Sequence, residues 1–436
     1  MPQPVTVAIV GSGPAGFYTA ESLIKSDLIC EIDIIDRLPT PYGLIRGGVA
    51  PDHQTTKNVW RRYEKTALHE QVKFYGNVEV GRDVSIDDLR ERYDAVVLAI
   101  GSALDRPLGI PGEDKVGVFG AAAFVGWYNG HPDFRDLNPD LNIGTAAVIG
   151  VGNVAIDVAR VLAKTPSEMA ETDLVDYAAK AVHSSPLTDV YMFGRRSAAD
   201  AKFTNKELRE MGELENSVPI VDPAQIPGEV TGEMSDRDRR LTVKNLDTFR
   251  EFSQRDADEK PIRVHFQFLA SPVEVLGGER VEGLRLEKNE VVDGRARGTG
   301  EFFEIECGLV LPSIGYSADP INGIPFDERA GTAKSDNGRI EKGFYAVGWI
   351  RRGPTGVIGT NKPDGEAAFH QIEEDFPEGA KPGRSAFGTL LEERGVRAVT
   401  FDDWKKIEAA EIANAVGKAP RRKFSEITEM LAVLDA

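Results

Sequence analysis

The sequence predicts an α/β protein of two doubly wound, three-layer domains, each built on a parallel sheet, with a helical tail at the C-terminal end. An apolar strand-like run, a glycine-rich turn and a helical pattern follow one another from Val5, and the same succession returns from Ala146. Strands that alternate with helices in this way are typical of parallel sheets. A chain of 436 residues is also too long for one ordinary core and suggests two or three domains.

The first succession, Val5 to Asp36, predicts a dinucleotide site of the Rossmann type. Its turn consists of Gly11, Ser12, Gly13, Pro14, Ala15 and Gly16. Gly11 permits a tight turn, Gly13 lets the backbone approach a pyrophosphate, and Gly16 lets the helix pack closely on the sheet. The helix N-terminus offers N–H groups to phosphate, and Asp36 is placed to accept hydrogen bonds from a ribose diol. An ordinary strand-to-helix turn is the alternative.

The second succession predicts a second dinucleotide site, which binds a different cofactor from the first. Its turn comprises Gly150, Val151, Gly152, Asn153, Val154 and Ala155, and the next strand leads into Gly194, Arg195 and Arg196. Paired guanidinium groups bind a 2′-phosphate, which an acid would repel. This site is therefore predicted to take NADP(H), whereas Asp36 suits the adenosine ribose of FAD. A solvated arginine pair at a strand end is the alternative.

Composition excludes several other classes of protein. A net charge of −18 argues against nucleic acid as a partner. The two cysteines, Cys30 and Cys307, lie singly in apolar runs, which predicts buried thiols and excludes a CxxC pair, a zinc ribbon and a protein-bound iron–sulfur cluster. The apolar run at residues 95–100 is too short to cross a bilayer. With a strand beginning so close to Met1, a cytoplasmic protein is expected, although a trimmed mitochondrial form would look the same.

Further elements are predicted between and after the two turns. Residues 37–53 contain three prolines and three glycines, which predicts an irregular loop at the ligand crevice. Helices are predicted at 57–70, within the charged stretch 228–260, and in the tail at 386–396, 402–416 and 424–434. Strands are predicted at Val72–Tyr75, Val78–Val80, Tyr93–Gly101, Val264–Phe268, Val273–Leu276, Val281–Glu287 and Glu304–Leu311. The predicted domains are 1–104 with 318–376 for FAD, 105–317 for NADP, and 377–436 as a helical extension.

These motifs together resemble the adrenodoxin reductase family and its bacterial NADPH-ferredoxin reductases, which are glutathione-reductase-like flavoproteins. The matching segments are residues 11–16, 39–44, 48–53, 152–160, 194–196, 203–211 and 348–356. The tail lies outside them. Three positions depart from the pattern: Asp36 replaces a common glutamate, Ser197 follows the arginine pair where glycine is frequent, and Trp349 stands where broader relatives have an acid.

The resemblance implies a set of cofactor-binding residues in each domain. For FAD they are Gly11, Gly13, Pro14, Ala15, Asp36, Leu44, Val80, Trp349, Gly356, Val357 and Ile358. For NADP they are Arg106, Val151, Gly152, Asn153, Val154, Arg195, Arg196, Glu207 and Gly356. No metal is implied. His53 is the one candidate catalytic residue, for proton transfer, and a structural histidine is the alternative.

The implied activity is that of a ferredoxin–NADP⁺ reductase, in which NADPH reduces the flavin and the flavin passes single electrons to an iron–sulfur ferredoxin. Because ferredoxins are typically acidic, a local basic face is expected at Arg209, Arg237, Arg239 and Arg240. A purely solvated charge run is the alternative for these residues. An NADPH-dependent quinone or oxygen reductase, and a flavin-bound sensor or subunit of a larger electron-transfer complex, are the alternative functions.

Overall fold

The chain divides into two units in this computed structural model, which describes residues 3–230 and 233–435. The first unit takes in the described residues up to Leu104, the short segment Asn129–Pro132, and those from Tyr316 onwards. The second comprises Asp105–Tyr128 and Asp133–Gly315. Among the described residues, no helix combines the length and apolarity needed to cross a membrane.

The sheet of the first unit has its earliest strand near the centre. Its six strands run, in spatial order, Arg339–Glu341, Phe344–Ala346, Ala95–Leu98, Val5–Val10, Cys30–Ile35 and Val72–Tyr75. All neighbouring pairs are parallel except the outermost pair at residues 339–346. The chain adds strands on one side of Val5–Val10 and then on the other. This reversal creates a crevice at the carboxyl ends of the strands, where ligands bind in such sheets.

Helices cover both faces of this sheet. Alternate residues of the first strand enter different cores: Val7 and Ile9 lie in one, and Ala8 and Val10 in the other. The α-helices of the unit are Pro14–Ile24, Leu44–Gly47, Gln54–Lys57, Trp60–Ala67, Ile86–Arg92, Trp349–Arg352, Asn361–Asp375, Arg384–Glu393, Phe401–Ala413 and Ile427–Ala432. The unit is therefore three-layered, as predicted.

The tail, residues 377–435, is part of the first unit and not an added extension. Its helix Arg384–Glu393 buries Phe387 in the core on one face of the sheet, and its helix Phe401–Ala413 buries Trp404 in the core on the other. Both aromatic side chains are 0% exposed. Each contributes about 1.5–3 kcal/mol by leaving water. The three predicted tail helices are present with bounds shifted by a few residues.

The second unit has a parallel sheet of five strands in the order Leu309–Pro312, Thr145–Ile149, Asp189–Phe193, Ile262–Gln267 and Ser217–Val221. One face packs against α-helices, which are Ala121–Asn129, Asn153–Ala163, Pro166–Met169, Asp176–His183, Asn205–Glu210 and Asp236–Phe252. The other face packs against an antiparallel sheet formed by Ala270–Leu276, Gly283–Val292 and Arg295–Glu306. The last two strands form a long hairpin, which supplies the third layer.

Three predicted elements differ from the structure. The segment 78–80 is not a strand but leads into a turn at residues 81–83, around which the Glu79 carbonyl accepts a hydrogen bond from Asp83 N. The helix 57–70 is interrupted between Lys57 and Trp60. The strand predicted at 304–311 is two strands in different sheets, because a tight junction at Gly308 redirects the chain; a Cβ there would lie 2.4 Å from Ile143 Cγ2.

Candidate dinucleotide-binding sites

The first glycine turn, residues 11–16, has the shape that the sequence predicts. Gly11 has a φ of +111°, and a Cβ there would lie 2.5 Å from the Ala99 carbonyl oxygen, so only glycine fits. A Cβ on Gly16 would lie 2.1 Å from the Gly11 carbonyl oxygen, which shows how closely the helix approaches the strand. By contrast, a Cβ on Gly13 would meet nothing within 4 Å. The middle of the turn is therefore open to a ligand.

The helix that follows this turn presents its N-terminus without a side-chain cap. Its N-cap is Gly13, which has no side chain to cap the helix, and its first residue is Pro14. The N–H groups of Ala15 and Gly16 therefore point out at the positive end of the helix dipole. This backbone suits the pyrophosphate of a dinucleotide.

Asp36 lies beside the turn and is held there by Ser12. Its Oδ2 accepts hydrogen bonds from Ser12 N at 2.8 Å and from Ser12 Oγ, and its Oδ1 accepts one from Leu38 N at 3.0 Å. Oδ1 accepts only one of these bonds and keeps a second lone pair, so Asp36 can still accept a ribose hydroxyl. Ser12 was missed in the sequence because its partner lies 24 residues away.

The proline loop, residues 37–53, lies directly on the first glycine turn. Tyr42 N donates to the Ser12 carbonyl at 3.0 Å, and a Cβ on Gly43 would lie 2.9 Å from Gly13 Cα. Leu44, which is 44% exposed, follows at once. His53 ends the loop, is partly buried, and caps the helix Gln54–Lys57 through its backbone.

Aromatic contacts hold the strained start of this loop. Tyr42 has a φ of +85°, which is rare for a residue with a side chain. Its ring is 4% exposed and meets Trp404 of the tail edge-on, with the centroids 6.1 Å apart. The buried ring stabilises a backbone conformation that would otherwise relax.

The segment after the strand Phe344–Ala346 also reaches this turn. A Cβ on Gly348 would lie 2.6 Å from Ala15 Cβ, which places Trp349 beside the first glycine turn. Trp349 Nε1 donates to the Thr355 carbonyl at 3.2 Å, linking it to the exposed stretch that contains Gly356.

The other residues predicted for FAD lie near these contacts. Val357 is 61% exposed and Ile358 is partly buried against the core of the first unit. Val80 is 8% exposed, two residues after Val78, whose N–H donates to the Asp36 carbonyl at 3.0 Å. Their contacts with FAD stay predictions.

A buried acid that the sequence did not reveal organises the turn at Gly348. Asp364, 7% exposed, accepts hydrogen bonds from Gly348 N at 3.1 Å, from Arg351 Nη1 at 2.9 Å and from Arg352 Nε at 2.9 Å. Two guanidinium groups compensate its charge. Asp364 therefore positions Trp349 through the backbone.

The second glycine turn, residues 150–155, repeats the same physical arrangement. Gly150 has a φ of +146°, and a Cβ there would lie 2.3 Å from the Ser313 carbonyl oxygen. Gly152 is the N-cap of the helix Asn153–Ala163, which again has no side-chain cap, and a Cβ on Gly152 would meet nothing within 4 Å. Ala155, in the packing position, is fully buried.

Asn153 and Val151 fix the neighbouring segment. Asn153 Oδ1 accepts a hydrogen bond from Thr204 N at 2.9 Å, and the Val151 carbonyl accepts one from Lys202 N at 2.8 Å. These bonds place the start of the helix Asn205–Glu210, and hence Glu207, beside the turn. Val154 lies in the first turn of the helix Asn153–Ala163 and is partly buried.

A buried arginine connects this helix with Glu207. The Arg160 side chain is 0% exposed, and its guanidinium lies 2.7 Å from Asp157 Oδ1 and 3.3 Å from Glu207 Oε2. A buried guanidinium requires such partners. Glu207 is thereby held in place, and its predicted contact with NADP stays a prediction.

The arginine turn, residues 194–196, follows the strand Asp189–Phe193 at the same edge of the sheet. Gly150 N donates to the Phe193 carbonyl at 2.9 Å, so the arginine turn adjoins the second glycine turn. The Arg195 side chain is exposed, whereas Arg196 is partly buried and pairs with Asp200 at 3.1 Å.

Two further predicted residues can be placed. Ser197, which departs from the family pattern, accepts a hydrogen bond from Ala199 N and so begins a short 3₁₀ turn. Arg106 N donates to the Gly315 carbonyl at 3.2 Å, two residues after Ser313, which contacts Gly150. Gly356 belongs to the first unit, and its predicted contact with NADP stays a prediction.

Comparison with known proteins gives the family. Residues 5–212 match the family model described as pyridine nucleotide-disulphide oxidoreductase. The chain is 40% identical to the mitochondrial NADPH:adrenodoxin oxidoreductase of Arabidopsis thaliana, over 99% of this chain and 95% of that protein. The chain belongs to the adrenodoxin reductase family. Within that family it is also 41% identical to the NADPH-ferredoxin reductase FprA of Mycobacterium tuberculosis, over 99% of both chains.

A solved structure of the adrenodoxin reductase family extends the likeness to the fold. Mycobacterium tuberculosis FprA in complex with NADPH matches with a TM-score of 0.95 at 39% identity, covering 100% of both chains. The match includes the tail, which the motifs in the sequence did not reach. The predicted glutathione-reductase-like fold is confirmed.

The cysteines of this member of the adrenodoxin reductase family are unsuited to disulfide exchange. Cys30 and Cys307 are both free and buried, as predicted, and they lie in different units. Burial raises the pKa of each thiol to about 12. Because the thiolate is the nucleophile, neither side chain reacts readily at neutral pH.

Proposed function

We propose that the protein is an NADPH–ferredoxin oxidoreductase that holds FAD in its first unit and NADPH in its second. When bound, FAD accepts two electrons from NADPH as a hydride and releases them singly to an iron–sulfur ferredoxin. The observation that carries this proposal is a pair of open glycine turns, each followed by a helix without a side-chain N-cap. One turn lies beside Asp36 and the other beside Arg195 and Arg196. Full-length similarity to NADPH:adrenodoxin oxidoreductase supports it.

The first unit is proposed to bind and shield the flavin. The backbone of Gly11, Gly13 and Ala15 binds the pyrophosphate, with Pro14 starting the helix in the correct direction, and Asp36 accepts the ribose. Apolar side chains on the surrounding segments exclude water from the ring system. These are Leu44, Val80, Trp349, Val357 and Ile358, with Gly356 allowing close approach.

The second unit is proposed to select the phosphorylated cofactor. Val151, Gly152, Asn153 and Val154 form the backbone cradle for the pyrophosphate. Arg195 and Arg196 bind the 2′-phosphate, and Arg106 and Glu207 border the same edge of the sheet. His53 is proposed to hold the proline loop, or to carry a proton next to the flavin.

The central test is rapid mixing of the purified yellow protein with NADPH in the absence of oxygen, followed by a ferredoxin. The visible flavin absorbance should bleach with NADPH and return on addition of the ferredoxin. A colourless protein that takes up no FAD would contradict the proposal. Fast return with a quinone or oxygen, and none with any ferredoxin, would instead support the quinone or oxygen reductase.

The docking surface for ferredoxin is proposed on two helices of the second unit. The helices Asn205–Glu210 and Asp236–Phe252 touch through Asn205 Nδ2, which lies 3.2 Å from Asn245 Oδ1. Arg209, Arg237 and Arg240 are exposed on them. The fourth predicted residue, Arg239, is partly buried and donates to the Val230 carbonyl at 2.8 Å. On a protein of net charge −18, these three exposed guanidinium groups are proposed to attract an acidic ferredoxin, although the exposed Asp236 and Asp238 lie on the same helix.

Charge reversal at Arg209, Arg237 and Arg240, each to Glu, should raise the KM for ferredoxin by roughly tenfold or more at low salt, because it replaces attraction with repulsion. Turnover with a small neutral dye should not change. Wild-type ferredoxin reduction should also fall steeply with added salt. Arg280→Glu, at an exposed arginine on another segment, is the matched control. An equal effect of the triple variant and the control would contradict this docking surface.

A further inference from the structure

The long hairpin extends past its neighbouring strand. Val292 pairs with Arg295, and the two residues between them have φ values of +50° and +72°, which is a type I′ turn. The strand Ala270–Leu276 stops pairing with the hairpin at Lys288. Beyond that point the two hairpin strands pair only with each other within the sheet. The projecting end meets the arginine turn.

The backbone of the arginine turn is anchored at both ends by neighbouring backbone. The Gly194 carbonyl accepts a hydrogen bond from Ala270 N at 3.1 Å, and the Arg196 carbonyl accepts one from Leu269 N at 3.1 Å. Leu269 has a φ of +55°, so the chain bends sharply to supply both donors. These two bonds leave the carbonyl between them, that of Arg195, to be satisfied by other means.

A side chain of the hairpin provides that bond. Asn289 Nδ2 donates to the Arg195 carbonyl at 2.8 Å and also lies 2.7 Å from Ser271 Oγ. Asn289 is 8% exposed, and its own N–H donates to the Leu269 carbonyl at 2.7 Å. A buried amide with this set of partners has one orientation, because reversing it would bring two oxygens together.

The tip of the same hairpin contacts the second arginine. Arg196 Nη1 donates to the Gly294 carbonyl at 3.3 Å, and the same nitrogen lies 3.1 Å from Asp200 Oδ1. The Arg196 side chain is 33% exposed, so it is supported but still accessible to a ligand. The hairpin therefore touches the backbone of one arginine and the guanidinium of the other.

We propose that Asn289 is a positioning residue that makes the second unit selective for nicotinamide cofactors with a 2′-phosphate. Asn289 fixes the position of the Arg195 carbonyl directly. Through the hairpin it also fixes the position of the Arg196 guanidinium. Charge-assisted hydrogen bonds to phosphate depend strongly on distance and angle, so a turn that loses this anchor binds the phosphate less well. A cofactor without the 2′-phosphate makes no such bonds and is unaffected. This inference rests on the proposed function.

The test compares two ligands that differ only in the 2′-phosphate. Adenosine 2′,5′-bisphosphate and adenosine 5′-monophosphate are titrated calorimetrically into the FAD-loaded wild type, Asn289→Ala and Asn289→Asp. Without this anchor the turn holds its guanidinium groups less well, so the Kd of the bisphosphate should rise roughly five- to tenfold in Asn289→Ala, which is about 1–1.4 kcal/mol of binding free energy. It should rise further in Asn289→Asp, which cannot donate and adds a negative charge. The Kd of the monophosphate should stay within about twofold.

Steady-state rates with a dye acceptor give a second readout. In both variants KM for NADPH should rise with little change in kcat, and kcat/KM for NADH should be unchanged. Glu290→Ala, an exposed neighbour on the same strand, is the matched control and should behave as wild type. Retained flavin absorbance shows that each variant is folded, and Asn289→Asp keeps the size of the side chain.

Two results would overturn the proposal, and they are distinguishable from failure of the proposed function. If wild type favours the 2′-phosphate and both variants keep that preference, Asn289 has no positioning role. If both ligands weaken equally, its role is only structural. If wild type shows no preference at all, the proposed NADPH site fails, and this inference fails with it.

Discussion

Removing both guanidinium groups of the arginine turn, by Arg195→Ala with Arg196→Ala, should lower kcat/KM for NADPH by roughly 100- to 1,000-fold. A hydrogen bond to a charged group contributes about 1.5–3 kcal/mol, and a 2′-phosphate held by two arginines loses at least two such bonds. NADH lacks this phosphate, so its kcat/KM should change by less than about threefold. Initial rates with a dye acceptor at fixed ionic strength measure both values.

A matched control separates this effect from a general loss of positive charge. Arg280→Ala removes an exposed arginine of the same unit and should leave the preference for NADPH intact. Neither arginine is buried, so the double variant should fold, and its flavin absorbance should match wild type. Equal losses with NADPH and NADH would show that the arginine turn supports the fold and does not read the phosphate.

Arg384→Met should lower the free energy of unfolding by about 3–5 kcal/mol at pH 8, because it leaves a buried carboxylate without its partner. Asp33 is 0% exposed in the strand Cys30–Ile35, and its carboxylate lies 2.8 Å from Arg384 Nε and accepts a hydrogen bond from Tyr93 Oη at 2.7 Å. Burial raises the pKa of Asp33 to about 6, although Arg384 opposes the shift. Urea unfolding followed by flavin release or circular dichroism measures the loss.

The free energy of unfolding that Arg384→Met removes should become smaller as the pH falls. The pKa of Asp33 in the folded protein, about 6, is above its ordinary value of 3.8. The protonated form is therefore favoured by folding, and the stability it contributes is present at low pH and lost as the pH rises through 6. Without Arg384 the folded pKa rises further, so the variant approaches wild type between pH 8 and pH 5. A difference independent of pH would contradict this role for Asp33.

A more exposed ion pair at the C-terminal end of the same helix provides the control. Arg394 lies 2.9 Å from Asp88, with its side chain 39% exposed. Exposed pairs typically contribute about 0–1 kcal/mol, so Arg394→Met should cost far less than Arg384→Met. The comparison isolates burial as the cause of the larger effect.

The sequence predicts those parts of the two sites whose geometry depends only on residues that are close together in the chain. Gly11, Gly13 and the uncapped helix after them form one short segment, so spacing alone predicts their geometry. The same is true of Arg195 and Arg196 at the end of a strand. The role of each of these residues depends on the backbone conformation of the few residues around it. That local conformation can be inferred from a single sequence.

The supporting residues could not be predicted in the same way, because their partners are distant in sequence. Asn289 bonds to a carbonyl 94 residues earlier, and Asp364 to a backbone N–H 16 residues earlier. A buried asparagine or aspartate looks like a surface residue until the fold places a donor or acceptor beside it. The sequence does contain one signal for the long hairpin, because Asp293 and Gly294 are a favoured type I′ pair, and the predicted strands at Val281–Glu287 and Glu304–Leu311 cover the hairpin only in part.

The position of the tail affects the order in which the protein can fold on the ribosome. Phe387 and Trp404 pack in the two cores of the first unit, so its opening strand, Val5–Val10, lacks part of its covering until the tail has been synthesised. Residues 133–315 of the second unit emerge as one continuous stretch and can fold earlier. The nascent chain must therefore protect its first apolar strands until the tail has emerged from the ribosome, which makes this part of the molecule a natural client for chaperones.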